Sequence, residues 1–565
     1  MLNIKFVSSL EKTFLDQDIS DFKAQKKISA LRGERLSLQI LYAFDKNDRH
    51  RSPPFYSPVL SGSLAEYASL RSVKHLPVAK YEGERGERTS IDESLRLSPG
   101  LFPDLLEPIA GGSMLPICDR TLESLWVEIE IPEDMPAGEH KLSARFDLIE
   151  EMVYRGTGEP ETVANTEIII DVIPAKLPEQ KLIHTEWFHA DCLASYYNVP
   201  VWSERHWEII ENFARVAVKN GINMLLTPVF TLPLDTRVGG ERPTTQLVGI
   251  KKCGNRYTYN FKLLDRWVDM LDRVGIKYIE VSHLFTQWGA THAPKIMATV
   301  DGEYKKIFGW ETDAHGEEYK KFLRSFLKAF LNHMKKRGDD KRCFFHISDE
   351  PGEKHIENYK KSKKIVDKIL EGYTIMDALS RFDYYKKGII KTPIPVTSSL
   401  QEFYDGGVKN LWTYYCGGCM GGYSSRMLAR PSASTRSIGM QMYKYDIVGF
   451  LHWGYNFYYT RGSIDTVNPF VDTCGDRWVP AGDTMLVYPA ISGEALESIR
   501  IKVFHDALQD MRAMSLCESL YSKEEVVAAV EEVLGYSMTF ANSVTDSAKM
   551  LAVREKINAM IKAKV

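Results

Sequence analysis

The sequence predicts a multidomain chain of α and β structure. An N-terminal antiparallel β-sandwich covers 1–178, a (β/α)8 barrel covers 179–460, and a C-terminal extension of hairpin plus helices, expected to pack on or beside the barrel, covers 461–565. Three changes of texture predict this division. Up to residue 178 the chain runs in short alternating or β-branched segments with turn signals between them and few helical stretches. From about 180 to 460, eight apolar runs alternate with helical patterns, and the number and length suit a barrel. After 460, two amphipathic helices follow a hairpin-like segment.

In the first part, ERLSLQILYAF, SLWVEIEIP, HKLSARFDLI and TEIIIDVIP are the candidate strands, and PEDMPAGEH is a turn between two of them. IPAKLPEQK (173–181) carries two prolines and marks the linker. The barrel then opens with the strand LIHTEWF and a helix that Ser203 caps and Gly221 stops. NMLLTPVF, KYIEVSHLF, CFFHIS, YTIMDALS, IPVTSS, NLWTYYC and IVGFLHWGYNF supply the remaining strands. They are near-continuous apolar runs, as strands covered by crossover helices must be. A doubly wound sheet is the other arrangement of this alternation, but no glycine-rich turn follows the first strand. GDTMLVYPAISGE forms the later hairpin-like segment.

The 565 residues have a net charge of −3, with 44% hydrophobic and 26% charged residues, so no basic field exists to hold nucleic acid. No run of about 18 apolar residues is present, and no membrane span is expected. The start of the chain lacks the apolar segment of a signal peptide, and the eight cysteines are scattered, which fits a cytoplasmic protein without a disulfide framework. A homo-oligomer is compatible with this composition. Aromatic residues make up 11%, a weak pointer toward sugar-binding faces.

Catalytic groups of such barrels lie at the carboxyl ends of the strands. Strand one ends near Trp187, His189 and Asp191, and strand three near His283, Gln287 and Trp288. Strand four ends in Asp349 and Glu350, and strand five near Asp377, with Arg381 and Asp383 beyond. Strand seven ends in Tyr414, Tyr415 and Cys416, and strand eight near His452, Trp453, Tyr455 and Asn456.

The adjacent acids Asp349 and Glu350 are the main candidates. Strand parity groups His346, Ser348 and Glu350 on the face toward the mouth, with Asp349 opposite. Asp349 joins Glu350 only if the backbone bends, as the following Pro351 and Gly352 permit. The plain alternative is that both acids merely favour the positive end of the next helix. Paired carboxylates cleave glycosidic bonds, one of them protonated through burial or a like-charged neighbour. In sugar-cleaving barrels with an acid on strand four, a partner nucleophile often stands on strand seven. Here strand seven ends in TYYC, without a carboxylate. A 2-acetamido sugar can supply the nucleophile itself, its carbonyl oxygen attacking its own anomeric carbon. Glu350 then suits the proton donor, Asp349 the group that holds the amide N–H, and Tyr414 or Tyr415 the hydroxyl that orients the acetamido oxygen.

With these residues in view, the chain resembles glycoside hydrolase family 123. The resemblance runs through the β-sandwich, the barrel with HISDEP at strand four, and GDTMLVYPAISGEALESIRIKVFHDALQDM, a C-terminal region shared with many uncharacterised relatives. It implies removal of terminal β-linked N-acetylgalactosamine from a glycan or glycolipid oligosaccharide by the substrate-assisted route, with Asp349 and Glu350 as the family's acid pair. Neither a metal nor an organic cofactor is implied.

Among the remaining candidates, Tyr414 and Tyr415 are adjacent and expected on opposite faces, so one faces the mouth. Trp453 and Tyr455 either stack on a sugar or close the barrel top. His189, His283 and Asp377 stand as candidate substrate contacts; for a single histidine, a satisfied core position is the commoner outcome. A metal-dependent hydrolase is disfavoured because HAD (189–191) lacks paired histidines. CGGC (416–419) has only half the ligands of a structural zinc site and reads as a glycine-rich loop. KKSKK (360–364) reads as a solvated helix face. A non-catalytic carbohydrate-binding protein remains the alternative from another class.

Overall fold

The computed structural model describes residues 1–50, 52–79, 94–96, 99–149, 161–287, 289–417 and 421–565. They form two compact units that are not consecutive in the chain. One comprises Met1–Gln180, Ser424–Lys444 and Leu496–Val565, the other Lys181–Tyr423 and Tyr445–Ala495.

In the first unit, alternation of apolar residues builds two facing sheets. One orders Leu2–Ser8, Arg35–Phe44, Glu123–Glu130, Ala68–Val78 and Gly100–Pro108; the other orders Lys27–Arg32, Glu161–Lys176, Gly138–Leu148, Phe55–Gly62 and Leu115–Pro116. The core between them takes every second residue of each strand: Leu38, Ile40 and Tyr42 from one sheet, Leu142, Ala144 and Phe146 with Ile168, Ile170 and Val172 from the other. The pairing is antiparallel except for Lys27–Arg32, which lies parallel to Glu161–Lys176. The helices Ser432–Lys444, Ile499–Leu520, Lys523–Leu534 and Ser547–Lys562 form a further layer of this unit, joined to it by a second apolar cluster that includes Leu31, Trp126, Met440, Val503 and Ile557. Residues 496–565 of the expected C-terminal extension thus pack with the sandwich, together with the helix that precedes the last barrel strand. Gly439 is required there, since a Cβ at this position would meet the Ala507 carbonyl oxygen at 2.0 Å.

The second unit is the barrel. Its parallel strands are, in chain order, Ile183–Glu186, Met224–Thr227, Tyr278–Val281, Cys343–Phe345, Thr374–Ala378, Thr392–Ile394, Trp412–Tyr414 and Gly449–His452. They are numbered one to eight below. Strand one pairs with strands two and eight, and a bridge between Val396 and Tyr414 joins strands six and seven, so the sheet closes on itself. Helices stop where the sequence says they should: Gly275 and Gly338, with φ of 96° and 85°, end Lys262–Val274 and Glu317–Arg337 in left-handed caps. A four-stranded sheet absent from the sequence expectation grows from the segments after strands two and three. It consists of Gly249–Cys253, Arg256–Asn260, Ile296–Val300 and Glu303–Phe308. Among the described residues, no helix is long and apolar enough to cross a membrane.

Candidate active site

Strand four leaves its regular ladder after Phe345, and the next five residues end in the two candidate acids. The Ile347 N–H donates to Asp377 Oδ1 at 3.0 Å, the Ser348 hydroxyl to the Thr286 carbonyl at 2.8 Å, and the Glu350 N–H to the Ala378 carbonyl at 3.1 Å. Glu350 itself has φ +41°, in the left-handed region. For a side-chain-bearing residue this conformation costs on the order of 1–3 kcal/mol and persists only where neighbours impose it. It interrupts strand parity, so Asp349 and Glu350 need not face opposite layers. Glu350 is exposed at the carboxyl end of the barrel and accepts a hydrogen bond from the Tyr414 hydroxyl at 2.5 Å. Asp349 is half-buried. Its carboxyl is raised well above the usual range, chiefly by loss of solvent, then by the charges of Glu350 and Asp235.

Below these acids, charged groups fill the barrel interior. Glu280 of strand three accepts from the Trp187 indole at 2.8 Å, from the Thr185 hydroxyl, and from His346 Nε2 at 2.7 Å. The other nitrogen of His346 lies 3.2 Å from Asp377 Oδ1, and Asp377 also accepts from the Tyr359 hydroxyl at 2.5 Å. Solvent loss lowers the proton affinity of His346, but its two carboxylate partners outweigh that and raise its pKa to about 9. It is therefore an imidazolium at neutral pH. His283 stacks on it with ring centroids 4.3 Å apart, and the neutral form of His283 is favoured by burial and by that adjacent charge.

Two loops complete the rim. After strand two, Asp235 has φ +45°. Its N–H donates to Gln287 Oε1 at 2.7 Å, and its carbonyl accepts from the Ser463 hydroxyl at 2.8 Å. Burial, together with the charges of Glu350 and Asp483, pushes its carboxyl up to about 7, against the pull of Arg242. Arg242 forms a buried two-point pair with Asp191 at 2.7 and 2.8 Å, and also donates to the Leu234 carbonyl at 3.1 Å. After strand eight, Asp483 accepts from the Gly417 N–H at 2.9 Å, the Trp453 indole at 3.2 Å and His452 Nε2 at 3.2 Å. Gly454 permits that approach, because a Cβ there would lie 2.3 Å from the Asp483 carbonyl oxygen. Trp453 is half-buried and packs on Phe457 and Trp478.

The structure thus gathers Asp349, Glu350 and Tyr414 at one place, with Trp453 held on the rim by Asp483. Of the tyrosine pair, Tyr414 meets Glu350, while Tyr415 packs against Phe450 and His452. Tyr455 is not brought to this cluster: its hydroxyl donates to the Phe213 carbonyl at 2.8 Å and its ring stacks on Phe188. His189 is fully buried, its ring nitrogens 2.9 Å from the Trp453 carbonyl and 3.0 Å from Arg242; burial, then the charge of Arg242, lower its pKa to about 3 and keep it neutral. Asp377 and His283 lie in the interior layer with no exposure. Trp288, and Gly418 and Cys419 of CGGC, lie outside the described residues. Asp235, Glu280 and Asp483 were not anticipated. The available signals were an acid inside an apolar strand (Glu280) and the first carboxylate after strand two (Asp235).

Ligand atoms of His283, His346 and Asp377 lie within 4.8 Å of one another, the spacing of a metal group. His346, however, spends both nitrogens on carboxylates, so in this state it is hydrogen-bonded and ion-paired to Asp377 and Glu280.

The family model for the glycoside hydrolase 123 catalytic domain matches residues 187–517, over half of the 565-residue chain. The chain belongs to glycoside hydrolase family 123. The match spans the acid pair and both rim loops. A family 123 glycoside hydrolase from Clostridium perfringens, whose structure was described for the details of glycolipid glycan hydrolysis, superposes with a TM-score of 0.73 at 14% identity, covering 100% of this chain and 98% of that one. Weaker likenesses include the CBM22-1–GH10 modules of Clostridium thermocellum xylanase 10B (TM-score 0.32, 7% identity, 84% and 90% covered). Another is a family 5 mannosidase from Rhizomucor miehei (TM-score 0.32, 13% identity, 59% and 93% covered). No curated protein matches the chain. The family 123 barrel is thus a glycoside hydrolase domain whose acids stand at the expected end of its strands.

Proposed function

We propose that this family 123 enzyme is an exo-β-N-acetylgalactosaminidase that acts with retention, the substrate's own acetamido group serving as nucleophile. The observation that carries this reading is the left-handed turn at Glu350, which frees two consecutive carboxylates from strand parity. Strand seven brings a tyrosine to the pair and no acid.

In the first step Glu350 gives its proton to the glycosidic oxygen as the bond to the anomeric carbon breaks. The acetamido oxygen attacks that carbon from the opposite face, forming an oxazoline ring. The developing positive charge on the amide nitrogen is met by the Asp349 carboxylate, which accepts its N–H. In the second step Glu350, now a carboxylate, takes a proton from water, and the resulting hydroxide equivalent opens the ring at the anomeric carbon. Two inversions leave the configuration unchanged. Neighbouring carboxylates that repel one another hold one proton between them. The substrate's N–H, donated to Asp349, favours the ionised form of that carboxylate. The imidazolium of His346 sits below and lowers the cost of keeping Asp349 ionised.

The test is hydrolysis of aryl N-acetyl-β-D-galactosaminide by the unmodified enzyme and by Glu350→Gln and Asp349→Asn. Both substitutions are expected to reduce kcat by more than about 10²-fold. A thiazoline mimic of the intermediate should bind far more tightly than the substrate. Near-normal turnover by Asp349→Asn contradicts the scheme, and sugar binding without turnover by the unmodified protein favours a non-catalytic carbohydrate-binding role.

A further inference from the structure

Asp235 is held with unusual care for a residue that binds nothing. Its N–H and carbonyl are fixed by Gln287 and Ser463, from the segments after strands three and eight. The preceding carbonyl, of Leu234, is fixed by Arg242, itself locked in a buried pair with Asp191. Contacts from two other segments, and from Arg242 of its own loop, thus hold this position, whose φ is a left-handed 45°. Asparagine and aspartate tolerate that region best among side-chain-bearing residues, yet it is still strained. The carboxylate has no hydrogen-bond or ion-pair partner among the described residues, although it is half-buried and within electrostatic reach of Asp349 and Glu350. The cation whose charge favours it, Arg242, is paired with Asp191, while the charges of Glu350 and Asp483 oppose its own. Neutral hydroxyl donors relieve that opposition without adding charge.

We propose that Asp235 is a specificity-determining residue that accepts hydrogen bonds from ring hydroxyls of the terminal sugar, the C4 hydroxyl among them. This rests on the function proposed above. In that scheme Glu350 and Asp349 engage the substituents on C1 and C2, which leaves those on C3, C4 and C6 for other groups. A carboxylate can take two neighbouring hydroxyls at once, and the direction of the C4 hydroxyl is what separates galacto from gluco sugars. A site built to accept from a hydroxyl discriminates strongly, because losing the donor strands the desolvated acceptor.

The experiment compares the unmodified enzyme with Asp235→Asn and Asp235→Ala on aryl N-acetyl-β-D-galactosaminide, its gluco isomer and its 4-deoxy analogue. Asparagine keeps the left-handed backbone, and thermal melts report the folding of both variants. The unmodified enzyme should favour the galacto sugar, and each variant should lose about 10²-fold in kcat/KM on it. On the 4-deoxy analogue the same substitutions should cost less than about tenfold, because the hydroxyl that Asp235 serves is already gone. Equal losses on parent and 4-deoxy substrates, accompanied by a displaced pH profile, would show that Asp235 acts only through the charges of the catalytic pair, and would overturn the proposal. Turnover that is indifferent to both substitutions overturns it as well. If the unmodified enzyme hydrolyses none of the three sugars, the underlying function fails, and this inference falls with it.

Discussion

The Tyr414 hydroxyl donates to Glu350 Oε1 at 2.5 Å, linking the end of strand seven to the turn after strand four. In many barrel glycosidases this is the place of a nucleophilic acid; here it is a phenol. Burial and the charge of Glu350 raise the tyrosine's pKa, so it remains a donor across the working range. Tyr414→Phe removes the donor but keeps the ring. We expect kcat to fall about 10- to 10²-fold, with a melting temperature within a few degrees of the parent. Steady-state kinetics and a thermal melt check both. An unchanged kcat would assign Tyr414 to packing alone.

His346 joins Glu280 and Asp377, and all three are buried. Removing the cation leaves two buried carboxylates without their partner, at a cost of about 3–5 kcal/mol. His346→Gln should show this loss in denaturant unfolding at neutral pH. The folded-state pKa of about 9 lies above the ordinary 6.5. The stabilisation is therefore complete below about pH 6.5 and disappears as pH rises through 9. The parent protein should lose stability across that window, and His346→Gln should lack this component. A variant as stable as its parent at pH 6 would contradict the buried imidazolium.

Asp483 ties Trp453 and Gly417 together from the loop after strand eight. Asp483→Ala frees the indole and leaves a buried N–H unpaired. In the proposed site Trp453 is a binding face with no part in proton transfer, so we expect KM for the aryl glycoside to rise about tenfold with a smaller change in kcat. A fall confined to kcat would place Asp483 in the chemistry.

Much of this site was legible in the sequence, and the reasons differ by residue. The barrel followed from the alternation of apolar runs and helices, and the acid pair followed from its position at a strand end. Parity alone would have sent Asp349 to the opposite layer. The left-handed Glu350 that prevents this is a backbone property imposed by Ala378 and Tyr414, which come from distant segments. Asp235 was missed for the same reason: its loop has no periodicity, and its placement depends on Gln287, Ser463 and Arg242. The extra four-stranded sheet was a different kind of omission. Asp301 and Gly302, with φ of 50° and 92°, form the Asp-Gly turn that marks a tight hairpin. That signal was present in VDGEY. The packing of the C-terminal helices with the sandwich was not legible, since amphipathic helices show that a face is buried and not against what.

The claim on which the mechanism stands is that the acetamido oxygen is the nucleophile. It is tested most directly by kcat/KM for aryl glycosides whose N-acetyl group carries zero, one, two or three fluorines. Each fluorine withdraws electron density from the attacking oxygen while changing its size little. The account predicts a steep, monotonic fall across the series, amounting to several powers of ten from acetyl to trifluoroacetyl. A flat dependence would contradict it, and would require a nucleophile supplied by the protein or by water.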